Sequence, residues 1–117
     1  MNLKTFLQKT YRDDFFVRKR VVCNNGLELS IQGSEFHYCE PRENRADGEY
    51  KTLEVNSFGV EIEDFSDYSD GTNYSYVPFE LVEKVIENNG GIFNELWFIL
   101  KLISCRYKIS TRYFFKF

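Results

Sequence analysis

This 117-residue chain has little of the equipment most enzymes and metal proteins carry: one histidine, His37, and three cysteines, Cys23, Cys39 and Cys105. The cysteines are odd in number and widely spaced, which argues against a disulfide framework. No C-x-x-C pair occurs, so the four candidate zinc ligands fit no structural zinc pattern, and neither metal nor cofactor is expected. Gly-rich phosphate loops, G-x-S-x-G and H-E-x-x-H are all missing. An acidic stretch ending at Gly71 fails as a calcium loop, because Ser66, Tyr68 and Val77 would fall where the first, third and twelfth ligands belong. The start, Met1-Asn2-Leu3-Lys4-Thr5-Phe6, lacks the apolar run of an export signal, so reduced thiols in a cytosol are expected. The longest apolar run, Ile92 to Ile103, is broken by Asn94, Glu95 and Lys101. It falls short of the roughly 20 residues a spanning helix needs.

What the chain does have is aromatic surface and a lopsided charge. Aromatic residues make up 18%, with twelve Phe and eight Tyr. Phe builds cores, whereas Tyr serves surfaces where a ring and a hydroxyl are both useful, so the tyrosines point toward a binding protein. The net charge is −3, yet residues through Ile92 carry 17 acids and 10 bases, and the remainder sets Glu95 against Lys101, Arg106, Lys108, Arg112 and Lys116. An acidic body can be a solvated surface, or a face that competes with nucleic acid for a basic partner.

Periodicity predicts an α+β fold: a small antiparallel β-sheet packed against two or three helices. Leu3, Phe6, Leu7 and Tyr11 recur at helical spacing, ending near Asp13-Asp14. Phe15 to Cys23 reads as a strand. Asn24-Asn25-Gly26 then gives a hairpin signal of type I′, whose central residues need positive φ. Leu27, Leu29 and Ile31 alternate with polar neighbours, placing one strand face inside and one in water. Tyr50 to Val55 predicts a third strand, Phe58, Val60 and Ile62 a fourth, and Tyr74 to Val77 a short fifth. Pro78 opens a helix with Phe79, Leu81, Val82, Val85 and Ile86 on its buried side, stopped by Asn88-Asn89-Gly90-Gly91. Residues 1–92 are thus expected to form the core domain. Residues 93–117 form an apolar and basic extension: a core or interface helix, or one lying on a membrane surface, then a closing strand from Arg106. Leu96, Trp97, Ile99, Leu100 and Ile103 cover too much of a helix for a single stripe, which predicts a homo-oligomer, most simply a two-fold dimer.

The stretch from Leu29 to Arg42 concentrates groups able to bind, donate or attack. Gln32, Ser34, His37, Tyr38 and Arg42 are its candidate binding residues. His37 and Cys39, two apart, would share one side of a strand, and an imidazole beside a thiol can take its proton. No orienting Asn or Asp and no oxyanion turn is visible, so no catalytic residue is assigned. Arg42 and Arg45, with His37 and Tyr38, could stack on a base and clamp a phosphate. The stretch could equally be a hydrogen-bonded structural turn. A second candidate surface is the acidic series Glu61, Glu63, Asp64, Asp67 and Asp70.

Val-Val-Cys-Asn-Asn-Gly at 21–26, Ser-Ile-Gln-Gly-Ser at 30–34, His-Tyr-Cys-Glu-Pro-Arg at 37–42, Tyr-Val-Pro-Phe-Glu-Leu-Val-Glu at 76–83 and Gly-Gly-Ile at 90–92 together resemble a family of small phage and prophage accessory proteins. The likeness spans Val21 to Ile92, and the chain continues 25 residues beyond it. It implies action inside a bacterial host cell, where small acidic phage proteins often block immunity by binding. The expected function is an anti-defence inhibitor acting stoichiometrically, with a bacterial immune effector protein or a nucleotide signal as partner. In the first mode the acidic face occupies the nucleic-acid channel of a CRISPR effector. In the second, the Ser34 to Arg42 loop sequesters a nucleotide-derived signal. Neither mode involves direct binding of nucleic acid or a membrane. An enzyme using His37 and Cys39, or a packaging accessory with no inhibitory role, remain open readings.

Overall fold

Val21 sits opposite Leu29, and Cys23 N–H donates to Leu27 O at 2.8 Å, closing the first hairpin around Asn25-Gly26. The computed structural model describes residues 1–94 and 103. The hairpin is where the sequence puts it, but its turn type differs. Gly26 N–H reaches Cys23 O, and only Gly26 (φ 95°) takes the left-handed region. One glycine in that region after an ordinary turn satisfies the strand twist, so Asn25 is spared positive φ.

The sheet is four-stranded and antiparallel throughout, in the order β1 (Val21–Val22), β2 (Glu28–Gln32), β3 (Thr52–Ser57) and β4 (Tyr74–Pro78). Leu29, Ile31, Leu53, Val55, Val21 and Val77 share one face and are fully buried. Helix α1 (Leu3–Lys9) contributes Leu3, Phe6 and Leu7 to that core, with Asn2 Oδ1 capping Thr5 N–H. Helix α2 (Phe79–Asn88) follows β4 directly and contributes Val82, Val85 and Ile86. It ends at Gly90 and Gly91, both at positive φ, as the Asn-Asn-Gly-Gly run implies. A 3₁₀ helix, Glu63–Tyr68, lies between β3 and β4. The α+β class is as the sequence predicts.

Four local expectations fail. Phe15 to Cys23 is not a continuous strand. Extending the β1–β2 register would set Arg18 opposite Gln32, but the Gln32 side chain takes the place of the ladder. It accepts from Arg18 N–H at 2.7 Å and donates to Arg18 O at 2.8 Å. The alternation in β2 also breaks at Gln32, which is 4% exposed on the face expected to be wet. Arg18 turns inward, donating to Leu7 O, Gly33 O and Arg45 O. The alternating Phe58, Val60 and Ile62 form no strand either. The chain turns at Gly59 (φ 77°), Ser57 Oγ bonds Val60 O, and Phe58 and Val60 are exposed, Phe58 beneath the Arg20 guanidinium at 3.7 Å. Finally, α1 stops at Lys9, short of Asp13-Asp14.

No helix among the described residues is long and apolar enough to cross a membrane. The expected closing strand, nearly all of the apolar helix and the dimer interface placed on 93–117 lie outside the described residues.

Candidate functional site

Gly33 ends β2 because nothing larger fits there. An added Cβ would stand 2.6 Å from two ring atoms of Tyr50, whose hydroxyl accepts from Arg45 N–H and has one proton to give, with Glu43 O at 2.6 Å and Gly33 O at 3.0 Å both in reach. The chain then turns: His37 N–H donates to Ser34 O, and Arg42 donates to His37 O and Glu35 O. This loop lies over the polar face of the sheet, where Glu54 Oε2 accepts Tyr38 N–H at 2.7 Å.

The five candidate residues of this segment divide between interior and surface. Gln32 and Ser34 are buried and engaged inside the protein. Besides bridging Arg18, Gln32 donates to Ser30 Oγ. Ser34 Oγ accepts Phe36 N–H and lies 2.6 Å from His37 Nδ1. With that N–H already accepted, the hydroxyl has its own proton to give, which suits a neutral imidazole protonated at Nε2. Burial pushes the His37 pKa down and so favours that form; nearby Glu54 opposes the shift and Arg18 adds to it. The Cys39 thiol is wholly buried, has Ser34 O at 3.3 Å and Pro41 O at 3.4 Å as acceptors for its one proton, and is held above its ordinary pKa chiefly by burial. His37 turns to Ser34 while Cys39 turns into the core, so the shared strand face expected of this pair does not form. An inward, protonated thiol is a poor nucleophile.

Tyr38 and Arg42 remain on the surface. Tyr38 is 45% exposed, and the Arg42 guanidinium lies 5.6 Å from its ring centroid. Its other neighbour is one the sequence reading missed. Tyr76 packs against Tyr38 with centroids 6.0 Å apart and is itself 42% exposed. A β-bulge brings it there. Leu53 pairs with Val77 and Val55 with Tyr74, so Ser75 and Tyr76 together oppose the single residue Glu54. The extra residue lets Tyr74 and Val77 both face the core and turns Tyr76 outward. Tyr76 takes φ 54°, the only described non-glycine residue at positive φ, and its N–H donates to Tyr38 O at 3.1 Å. A bulky side chain in that region is strained by roughly 1–3 kcal/mol. Tyr-Ser-Tyr gives the aromatic spacing, but no residue pattern announces the bulge.

Tyr38 and Tyr76, with Asp70, Thr72, Asn73 and Ser75, line an open cleft of about 570 Å³. The two candidate segments therefore meet at Asp70. Its carboxylate accepts from Ser75 Oγ, Asn73 N–H and Thr72 N–H, and these bonds, Ser75 first, hold its pKa below the ordinary range. Glu61, Glu63, Asp64 and Asp67 are exposed along the 3₁₀ helix and the segment before it. None of the five makes an ion pair among the described residues. The buried Phe65, its ring 5.4 Å from that of Tyr74, pins this acidic helix to β4. No three His, Cys, Asp or Glu side chains cluster to hold a metal among the described residues.

No protein-family model, curated protein or solved structure matches this chain.

Proposed function

We propose that this chain is a phage-type anti-defence protein that inhibits bacterial immunity inside the host cell by stoichiometric binding to an effector protein. A Cas effector, as for an anti-CRISPR protein, is the leading example. One observation carries the binding surface: a strained bulge holds Tyr76 in the open against Tyr38, beside carboxylates with no cationic partner. The register shift that faces Tyr74 and Val77 inward leaves Tyr38 and Tyr76 in tilted ring contact on the surface, Tyr76 at positive φ. Exposed Tyr with an adjoining Arg is the composition of interface hot spots. The acidic flank, Glu61 to Asp70, matches a basic channel that otherwise holds nucleic acid, and steers the encounter by long-range attraction. The phage setting rests on the sequence likeness at 21–92.

The nucleotide-signal mode draws less support from the Ser34 to Arg42 loop. Gln32 and Ser34 are interior, Arg42 is engaged with two carbonyls, and the cleft beside Tyr38 carries the ionised Asp70, which repels phosphate.

The test pairs capture with phage growth. Tagged protein expressed in a defended host should co-purify with an immune effector and restore phage plating. Tyr38→Ala with Tyr76→Ala should abolish both at an unchanged melting temperature. Co-purification of a nucleotide in place of a protein, or full protection by the double variant, would sink the proposal.

A further inference from the structure

A second cleft, about 490 Å³, opens where α1 ends, and its charge is opposite to that of the molecule. Lys9, Arg12, Phe15, Val17, Arg18 and Lys19 line it, and no acid does among the described residues. Four of the ten bases before residue 93 are gathered here, in a stretch that carries 17 acids overall. Lys9 and Lys19 are exposed and make no ion pair among the described residues. Arg12 is held by Asp14 through two bonds, 3.1 and 3.0 Å. Arg18 is 4% exposed and donates only to carbonyls, so its buried charge has no carboxylate to neutralise it among the described residues. Buried charges are ordinarily paired, and this one adds positive potential beneath the cleft. A neighbouring depression of about 410 Å³ shares Lys9 and Lys19; the Arg20 it adds is paired with Glu28 at 3.6 Å.

The cleft is also apolar in one place. Phe15 is 53% exposed and Val17 46%, and the Arg12 guanidinium lies 5.5 Å from the Phe15 ring centroid. A phenyl ring left open among unpaired ammonium groups suits a ligand with a planar ring at one end and anionic oxygens at the other. The volume is that of a small-molecule site. A long polyanion would run beyond the cleft into the acidic body and be repelled, whereas a small one meets only the local positive field.

We propose that this cleft binds a small nucleotide, its phosphates against Lys9, Lys19 and Arg12 and its base against Phe15. The site is separate from the Tyr38–Tyr76 surface and stands or falls independently of it. The experiment is a calorimetric titration of the full chain with ATP, with inorganic tripolyphosphate as the comparison. Saturable 1:1 binding is expected, weaker as salt rises, with tripolyphosphate at least about tenfold weaker than ATP. Lys9→Glu with Lys19→Glu should weaken ATP binding by about tenfold or more, and Phe15→Ala by severalfold, at unchanged melting temperature. If the double reversal compromises folding, Lys9→Gln with Lys19→Gln serves instead, with a smaller loss in the same direction. Absence of saturation up to about 1 mM ATP would overturn the proposal. So would equal affinity for tripolyphosphate, or wild-type affinity in both lysine variants.

Discussion

Replacing Arg18 by methionine removes one side chain that ties three separate segments together. Its Nε donates to Leu7 O at 3.2 Å, Nη1 to Gly33 O at 2.8 Å and Nη2 to Arg45 O at 2.9 Å. The three acceptors are not equivalent. Gly33 O keeps the Tyr50 hydroxyl within 3.0 Å, a proton it shares with Glu43 O at 2.6 Å, and Arg45 O is only partly buried and can take water. Leu7 O sits in the last turn of α1, where no intrahelical N–H reaches it, and Arg18 is its partner. An orphaned buried carbonyl costs about 1–3 kcal/mol, and Arg45 O adds a fraction of that. Methionine recovers some apolar contact and relieves the burial of an unpaired cation, but it leaves the carbonyls in place, so the relief is partial. The net loss should be about 1–3 kcal/mol. For a domain of this size that lowers the melting temperature by about 4–12 °C. Urea unfolding followed by far-ultraviolet circular dichroism should show a lower midpoint at unchanged slope. Arg18→Lys should fall between, because an ammonium cannot serve three carbonyls spread as a planar fork serves them. A methionine variant within about 0.5 kcal/mol of the parent would refute the assignment of Arg18 as the tie between α1, the end of β2 and the following loop.

Gly33→Ala should destabilise by about 1–3 kcal/mol, because the methyl meets a Tyr50 ring anchored through its hydroxyl; an unchanged urea midpoint would contradict this. Tyr76→Gly should lose no more than about 1 kcal/mol in the same assay, since relief of positive-φ strain offsets the lost ring contact. His37 has its folded pKa below the usual 6.5, so its contribution to stability is complete above 6.5 and declines as pH falls through the lowered folded value. The urea midpoint should therefore drop across that window, and His37→Gln should flatten the drop. Cys23 and Cys39, both buried and both with raised thiol pKa, should resist a thiol reagent in the native protein and react promptly in denaturant.

Some of this protein was legible in its residues alone because the cause was local. Asn25-Gly26 makes a turn whatever surrounds it, since glycine alone reaches positive φ without strain. Pro78 and Gly90-Gly91 bracket α2 for similarly local reasons, and the alternation through Leu29, Ile31, Leu53 and Val55 needs only one buried face. The rest depended on residues far apart in sequence. Phe15 to Arg20 has every strand preference, yet the Gln32 side chain claims the main chain of Arg18 and converts a strand into a buried tie. Phe58, Val60 and Ile62 alternate correctly and still form no strand, because the chain turns at Gly59 and no partner strand lies alongside among the described residues. Gln32 and Ser34 looked like ligand groups and proved interior, because only packing decides which way a polar side chain finds its hydrogen bonds. The exposure of Tyr76 beside Tyr38 was invisible because a one-residue bulge opposite Glu54 reverses the face it occupies, and a register shift belongs to a pair of strands and not to either sequence.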